Sequence, residues 1–285
     1  MINAYTVIGQ PIAHSLSPLI HGLFGQLTQR RVRYTRTEAT PETFEAIVRS
    51  WRDEGGRGCN VTMPFKEQAH ALCDRLGASA ARAGSVNTLQ FHRDGAIVGH
   101  NTDGAGLRAD VERNLAHPIA GKRLLLLGAG GAARGVVGPL LDARPASLSI
   151  ANRTVVRAQR IVQAFEQDPS AANVSVSACA PDELAGIVAR DGGFDLVINA
   201  TSLSLSGELP GLPEGLFAEG ALAYDMTYGP NDTPFMSWSR TQGARVAGGF
   251  GMLVEQAAES FQIWEGVRPK THKAWGRLQE LLNAA

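Results

Sequence analysis

The chain has 285 residues, 44% of them hydrophobic, enough for one large core or two modest ones, and two domains are expected. Lysine plus arginine and aspartate plus glutamate both number 27, so the formal net charge is zero; the basic block that binds a phosphate backbone is missing, and nucleic acid is not an expected partner. No apolar run reaches the roughly 18 residues of a membrane span, and MINAYTVIGQP runs straight into a strand pattern, so a cytoplasmic protein without membrane association is expected.

Residues 4–8 (AYTVI) read as a strand that ends at Gly9, Gln10 and Pro11. In the following IAHSLSP, Ser17 is the expected N-cap and Pro18 the first residue of a helix running to residue 29. Ser15 precedes that cap with no capping duty of its own, either a turn hydroxyl or a ligand-binding one at the mouth of a sheet. A strand over 32–37, a helix from Pro41 to residue 52 and a strand over 59–62 follow. The chain leaves the last strand at Thr62, Pro64 blocks further pairing, and 65–72 reads as helix. Lys66 therefore falls in a first helical turn, where the dipole disfavours a cation. It is either a solvated lysine or a site lysine.

Segments 83–91 and 96–99 flank Asp94 and Gly95 as the arms of a hairpin, and Asn87 in the first arm must be exposed or paired. Thr102 or Asp103 is expected to cap the next helix, to residue 115. A lysine and a carboxylate at strand-to-helix junctions of one small sheet can converge on a ligand.

From Lys122 the pattern is strand, glycine turn, helix 132–142, strand 148–151, helix 155–165, strand 174–177 and helix 181–188, then strands at 194–202 and 221–228. Repeated βα units predict a parallel sheet with helices on both faces. Residues 203–220 read as a loop, 230–238 as the start of a helix toward Gln242, and 252–265 and 273–282 as helices with no neighbouring strand. These last two are expected to return to the first domain. The expected fold is α/β in two domains, an open α/β substrate domain of residues 1–103 and 241–285 and a Rossmann-like nucleotide domain of 104–240. Cys59, Cys73 and Cys179 are isolated and odd in number, against a disulfide framework, and the seven histidines form no ligand cluster, so no metal is expected.

The run RLLLLGAGGAAR carries Gly128, Gly130 and Gly131, with Ala133 at the last small position, a GxGxxA variant of the dinucleotide turn. Twenty-five residues after Gly128, where an NAD site carries an acid for the ribose, stands Arg153, flanked by Asn152 and Thr154, with Arg157 one turn on. A guanidinium matches a 2′-phosphate, so the expected cofactor is NADP.

Over almost its full length the chain resembles the shikimate dehydrogenase family, through GQPIAHSLSP, NVTMPFK at 60–66, GSVNT at 84–88, NTDG at 101–104, GAGGAAR at 128–134, ANRT, NATS at 199–202 and GMLVEQAAESF at 251–261. The resemblance implies reversible, NADP-dependent reduction of 3-dehydroshikimate to shikimate, on the route to chorismate and the aromatic amino acids. It implies Ser15 and Ser17 on the substrate carboxylate with Tyr228 approaching that end, Thr62, Asn87, Asp103 and Gln256 on the ring hydroxyls, and Lys66 between substrate and cofactor. For the cofactor it implies Gly128, Ala129, Gly130, Gly131, Ala132 and Ala133, then Asn152, Arg153, Thr154 and Arg157. Thr201, Ser202 and Met226 would line the nicotinamide side, and Gly249, Gly251 and Met252 would bring backbone near it.

Lys66 and Asp103 are the expected catalytic pair, because ketone reduction develops negative charge on oxygen and needs a poised donor. Two departures stand out: Glu255 where the family often has histidine, and Leu203, Ser204 and Leu205 where it often has a small residue. The alternatives are a dual quinate/shikimate dehydrogenase, against which Arg153 argues, and a non-catalytic NADP-sensing protein, against which the Lys66 and Asp103 pair argues. A monomer or homodimer is expected.

Overall fold

A computed structural model describes residues 2–201, 203, 207–209, 211–229 and 231–283, with side chains described as far as residue 278. The chain divides into two compact units, Met1–Gly106 with Leu253–Ala285, and Leu107–Met252.

The first unit is built on β1 (Asn3–Gly9), α1 (Ser17–Thr28), β2 (Val32–Glu38), α2 (Phe44–Asp53), β3 (Gly58–Val61), α3 (Lys66–Leu72), β4 (Arg75–Leu76), α4 (Ala78–Ala83), β5 (Thr88–Phe91) and β6 (Ile97–His100). Its sheet has the order β2-β1-β3-β5-β6-β4. β1 pairs in parallel with β2 and β3, whereas β5 runs antiparallel to β3 and β6. β1 and β3 are the buried strands, whereas β2 has no fully buried residue, and Ile8, Cys59, Val61 and Leu89 meet Phe44, Val48 and Phe65 in one core.

α5 (Asp103–Ala109) carries the chain into the second unit and continues as a π turn, Asp110–Asn114. There follow β7 (Arg123–Leu127), α6 (Gly131–Asp142), β8 (Ser147–Ala151), α7 (Val155–Phe165), β9 (Ser175–Cys179), α8 (Leu184–Asp191), β10 (Phe194–Asn199), β11 (Phe217–Asp225), α9 (Pro234–Thr241) and β12 (Arg245–Gly248). The sheet is parallel throughout, in the order β12-β11-β10-β7-β8-β9. The four leucines of β7 show why: Leu124 and Leu126 join one core with β10 residues Leu196 and Ile198, while Leu125 and Leu127 join another with Val197 and Phe194. Successive side chains point to opposite faces, so a strand with four apolar residues in a row must be covered on both. Crossovers leave β7 in one direction to β8 and β10 returns on its other side, making the switch point at which open α/β sheets bind nucleotides.

α10 (Phe250–Glu265) and α11 (Thr271–Asn283) close the chain. Within the first unit, Trp264 stacks on Tyr5 of β1 at 4.4 Å and donates to the Leu89 carbonyl at 3.0 Å, while the Tyr5 hydroxyl donates to Glu265 at 2.7 Å.

The structure departs from the sequence reading in several places. The first hairpin arm is not one strand from residue 83; α4 ends at Ala83, Gly84 takes a left-handed conformation, and the ladder begins only at Thr88. β11 begins at Phe217, inside the expected loop, and residues 241–252 lie in the second unit because β12 ladders onto β11. Ser17 is not the N-cap: it is the first residue of α1, Leu16 holds the cap position with no side-chain cap, and the Ser17 backbone N–H donates to Ser15 Oγ at 3.3 Å. Of the two expected caps for α5, Asp103 is its first residue and Thr102 holds the cap position, its carbonyl accepting from the Gly106 N–H at 3.0 Å. The Asp103 backbone N–H donates to Asn101 Oδ1 at 3.1 Å, which frees the Asp103 carboxylate. Among the described residues no helix is long and apolar enough to cross a membrane.

Candidate active site

In the first unit the polar residues gather at the end of the sheet where β3 and β6 give way to helices and antiparallel β5 begins. β3 ends at Val61, and the Thr62 N–H still donates to the Ile8 carbonyl at 2.9 Å. The Phe65 N–H then donates to the Thr62 carbonyl at 3.0 Å, a turn that starts α3 at Lys66. A cation at this end of a helix opposes the dipole, and the structure supplies the compensation: Lys66 Nζ donates to Asp103 Oδ2 at 2.5 Å. The side chains are 14% and 6% exposed, so the pair is shielded from water and from salt. Asp103 Oδ1 accepts from Asn87 Nδ2 at 2.8 Å.

Asn87 is held by its backbone between two neighbours, its carbonyl accepting from Val61 N–H at 2.8 Å and its N–H donating to the His100 carbonyl at 3.1 Å. Its amide also donates to Thr102 Oγ1 at 2.9 Å and reaches Gln256 Oε1 at 3.4 Å. Lys66, Asn87, Asp103 and Gln256 are thus joined in one hydrogen-bonded cluster. Ser15 and Ser17 form a separate buried pair, with hydroxyls 3.2 Å apart, and Arg36 Nε donates to the Ser15 carbonyl at 2.8 Å. Chemically, the cluster offers an ammonium oriented by a carboxylate, and the serine pair offers neutral donors.

In the second unit the expected residues lie in the turns at the carboxyl ends of the strands. Gly128 follows β7 with φ of 106°, its N–H donating to the Ala151 carbonyl at 2.8 Å; a Cβ there would press on the Ala200 backbone at 3.2 Å. Gly130 precedes α6 with no side-chain cap, and a Cβ on it would meet nothing within 4 Å. Gly128 makes the turn, and Gly130 leaves space before a helix N-terminus, the arrangement a pyrophosphate needs. Ala129 and Ala133 are buried, with Gly131 and Ala132 opening α6.

After β8, Asn152 Nδ2 closes its own turn on the Thr154 carbonyl at 2.9 Å. Arg153 and Arg157 are exposed, and neither makes an ion pair among the described residues, leaving two guanidinium groups for an anion. These residues fit a 2′-phosphorylated dinucleotide. At the ends of β10 and β11, Thr201 donates through both N–H and hydroxyl to Asn199 Oδ1, and the Met226 N–H donates to the Asn199 carbonyl at 2.9 Å. Gly249 bonds the Thr227 carbonyl at 2.9 Å, Gly251 and Met252 begin α10, and Tyr228 follows β11 half-buried. Ser202 lies outside the described residues, as do Ser204 and Leu205.

Some site residues are given no site role by sequence patterns, Thr102 being read there only as a helix cap. Asn60, Thr88, Thr102 and Ser260 are buried polar side chains that complete the first-unit cluster. The available signal was Asn60, a polar residue in a strand buried at all four positions. Asn199 and Asp225 are buried and bonded at 3.1 Å, and Asp225 accepts from the Thr227 N–H at 2.9 Å and the Thr233 hydroxyl at 2.7 Å. Glu255, a departure from the family pattern, is buried but ion-paired with Arg268 at 2.8 Å, so its charge is compensated within its own unit.

Three family descriptions match successive stretches of the chain: a shikimate dehydrogenase substrate binding domain at residues 7–89, shikimate/quinate 5-dehydrogenase at 110–204, and a shikimate 5′-dehydrogenase C-terminal domain at 249–279. A relative from Aromatoleum aromaticum called shikimate dehydrogenase (NADP(+)) is 52% identical over 283 residues, 99% of each chain. Among solved structures, an Ael1 enzyme from Pseudomonas putida is 45% identical with a TM-score of 0.86, covering 97% of this chain and 98% of the other. A shikimate 5-dehydrogenase from Thermus thermophilus, solved with NADP(H) and shikimate, is 30% identical with a TM-score of 0.80, covering 95% and 97%. By full-length identity and fold alike, the chain belongs to the shikimate dehydrogenase family.

Proposed function

We propose that the chain is an NADP-dependent shikimate dehydrogenase, an oxidoreductase that reversibly reduces 3-dehydroshikimate to shikimate on the route to chorismate and the aromatic amino acids. The observation that carries this reading is the shielded 2.5 Å contact between Lys66 and Asp103, with Asn87 on the second carboxylate oxygen. In the reducing direction, bound NADPH supplies a hydride to the carbonyl carbon. The charge that then grows on the carbonyl oxygen is met by the Lys66 ammonium, which Asp103 orients, and a proton from Lys66 or water completes the hydroxyl. Ser15, Ser17 and Tyr228 take the carboxylate, and Thr62, Asn87, Asp103 and Gln256 take the ring hydroxyls, which fixes the position of the reacting carbon.

The first unit is the substrate domain and the second the NADP domain, with Gly128 to Ala133 under the pyrophosphate and Arg153 and Arg157 at the 2′-phosphate. The nicotinamide side is assigned to Thr201, Ser202, Met226, Gly249, Gly251 and Met252. The protein works in the cytoplasm, as a monomer or homodimer.

The test is steady-state kinetics with shikimate and quinate, each with NADP and NAD, on the wild type and Lys66→Ala. A clear preference for shikimate with NADP is expected, and Lys66→Ala should lower kcat about 10²- to 10⁴-fold with little change in KM. An unchanged kcat removes Lys66 from the mechanism, and equal rates with quinate replace the reading with dual specificity.

A further inference from the structure

Buried polar side chains must find partners, and the way they do so fixes the direction of each hydrogen bond. Beneath the Lys66–Asp103 pair lie three buried polar residues to which the proposed reaction gives no role: Asn60, Thr88 and Ser260. The Tyr34 hydroxyl donates to Asn60 Oδ1 at 2.6 Å, which turns the Asn60 amide nitrogen inward. That nitrogen donates to Thr88 Oγ1 and to Ser260 Oγ, each at 3.0 Å. Thr88 accepts from Asn60 with one lone pair and donates its own hydroxyl proton to Asn87 Oδ1 at 2.9 Å. Ser260 Oγ stands 2.8 Å from Thr88 and 3.2 Å from Thr102, hydroxyl to hydroxyl, and 3.1 Å from the Gln256 carbonyl; with the Thr88 proton directed at Asn87, the Ser260 hydroxyl is the donor to Thr88.

The consequence falls on Asn87. Its Oδ1 accepts from the Thr88 hydroxyl and from the backbone N–H of Thr102, the latter at 2.9 Å. A reversed amide would set N–H against the Thr102 N–H and its carbonyl oxygen against the Asp103 carboxylate. Only the observed orientation gives Asp103 Oδ1 a donor while Oδ2 holds Lys66.

We propose that Thr88, backed by Ser260, is a positioning residue for the Lys66–Asp103 pair, acting through the orientation of the Asn87 amide. This rests on the reading that Lys66 and Asp103 serve the reaction. Thr88 touches neither of them. Its contribution is to hold the amide whose nitrogen steadies the carboxylate, and hence the ammonium.

The test is a double-mutant cycle in the full-length protein, with Thr88→Val and Thr88→Ser each made in the wild-type and Asp103→Asn backgrounds. kcat and KM for shikimate and NADP are measured under steady state, single-turnover rates are taken for slow variants, and thermal unfolding is followed alongside. Thr88→Val, close in shape but without the hydroxyl, should lower kcat about tenfold, as expected for one misdirected hydrogen bond to a charged group. The NADP KM should stay unchanged, and Thr88→Ser should recover kcat to within about threefold. In the Asp103→Asn background Thr88→Val should have almost no further effect on rate, because the carboxylate it serves is gone.

Equal fold-losses in the two backgrounds, or a wild-type kcat in folded Thr88→Val, overturn the positioning role. Should Thr88→Val fail to fold, Ser260→Ala removes the supporting hydroxyl from a helix and is held to the same criteria. If Asp103→Asn and Lys66→Ala alone leave kcat intact, it is the reading of the pair that fails.

Discussion

His21 lies on the buried face of α1 in the first unit, stacked on Tyr34 with ring centroids 4.3 Å apart and within 6.1 Å of Phe24, Phe261 and Trp264. Neither ring nitrogen has a hydrogen-bond partner of normal geometry among the described residues. Burial pushes its pKa down to about 3, with the nearby Asn60 amide opposing the shift. The unfolded chain therefore takes up a proton near the ordinary histidine value while the folded chain does not. Stability is full above that value and is lost as pH falls from about 6.5 toward 3. Linkage over that interval gives a loss of about 2 kcal/mol at about pH 5 relative to about pH 8, as an order of magnitude.

His21→Phe keeps the stack and removes the titrating group. The measurement is urea unfolding of wild type and variant across that pH range, followed through the environment of Trp264, which reports on the same unit. The gap between the two stabilities should widen in favour of the variant by about 2 kcal/mol as pH falls to about 5. The other histidines are common to both proteins and drop out of the difference. Parallel stability curves would refute the premise that His21 is buried as a neutral ring.

Arg153→Ala should lower kcat/KM with NADP about 10- to 100-fold, the worth of charge-assisted hydrogen bonds to a phosphate, while leaving NAD nearly unaffected; kinetics with both cofactors check it. Gly128→Ala forces a side chain into φ of 106° against the Ala200 backbone and should cost about 1–3 kcal/mol of stability. Gly130→Ala, with open space before it, should melt like the wild type yet bind NADP more weakly, which paired thermal-shift and titration measurements separate. Arg268→Met removes the guanidinium paired with the buried Glu255 carboxylate and should cost about 3 kcal/mol in denaturant unfolding, most of it recovered in the double variant with Glu255→Gln.

The legible parts of the fold are those where burial is symmetrical. β7, β8 and β10 read as strands because both faces are covered and their central positions are mostly apolar or small, and glycine or a polar turn marks where each ends. α4 was hidden because ASAARA has no apolar stripe, and β4 because two exposed residues carry no pattern. β12 is short and half-exposed, and its place is set by the β11 edge rather than by its own residues. In the site, Lys66 was visible as a misfit, a cation where the helix dipole opposes one. Asp103 was half visible: a capping position suited its type, but Asn101, two residues earlier, does that work. The bond between Thr88 and Ser260 spans 172 residues, and no local pattern can register a partnership of that length.

The glycines of the second unit show why a motif residue and a ligand contact are different claims. Gly128 and Gly251 are both required by the protein's own atoms. The first has a left-handed backbone against Ala200, and a Cβ on the second would fall inside the Asp110 carboxylate. That carboxylate is itself fixed, accepting from the Tyr224 hydroxyl at 2.7 Å and from Asn114 Nδ2 at 2.8 Å, in the π turn that continues α5. A loss of activity on substituting either glycine would therefore report first on folding. Gly130 differs, because nothing in the chain fills the space before it and its φ of −88° is open to any residue. Nothing in the packing of the second unit requires its lack of a side chain, which is what the proposed pyrophosphate site needs at this position. In a turn where Gly128 is held by its left-handed backbone and Ala129 and Ala133 are buried, Gly130 is the position at which the proposed dinucleotide site rests on open space rather than on packing.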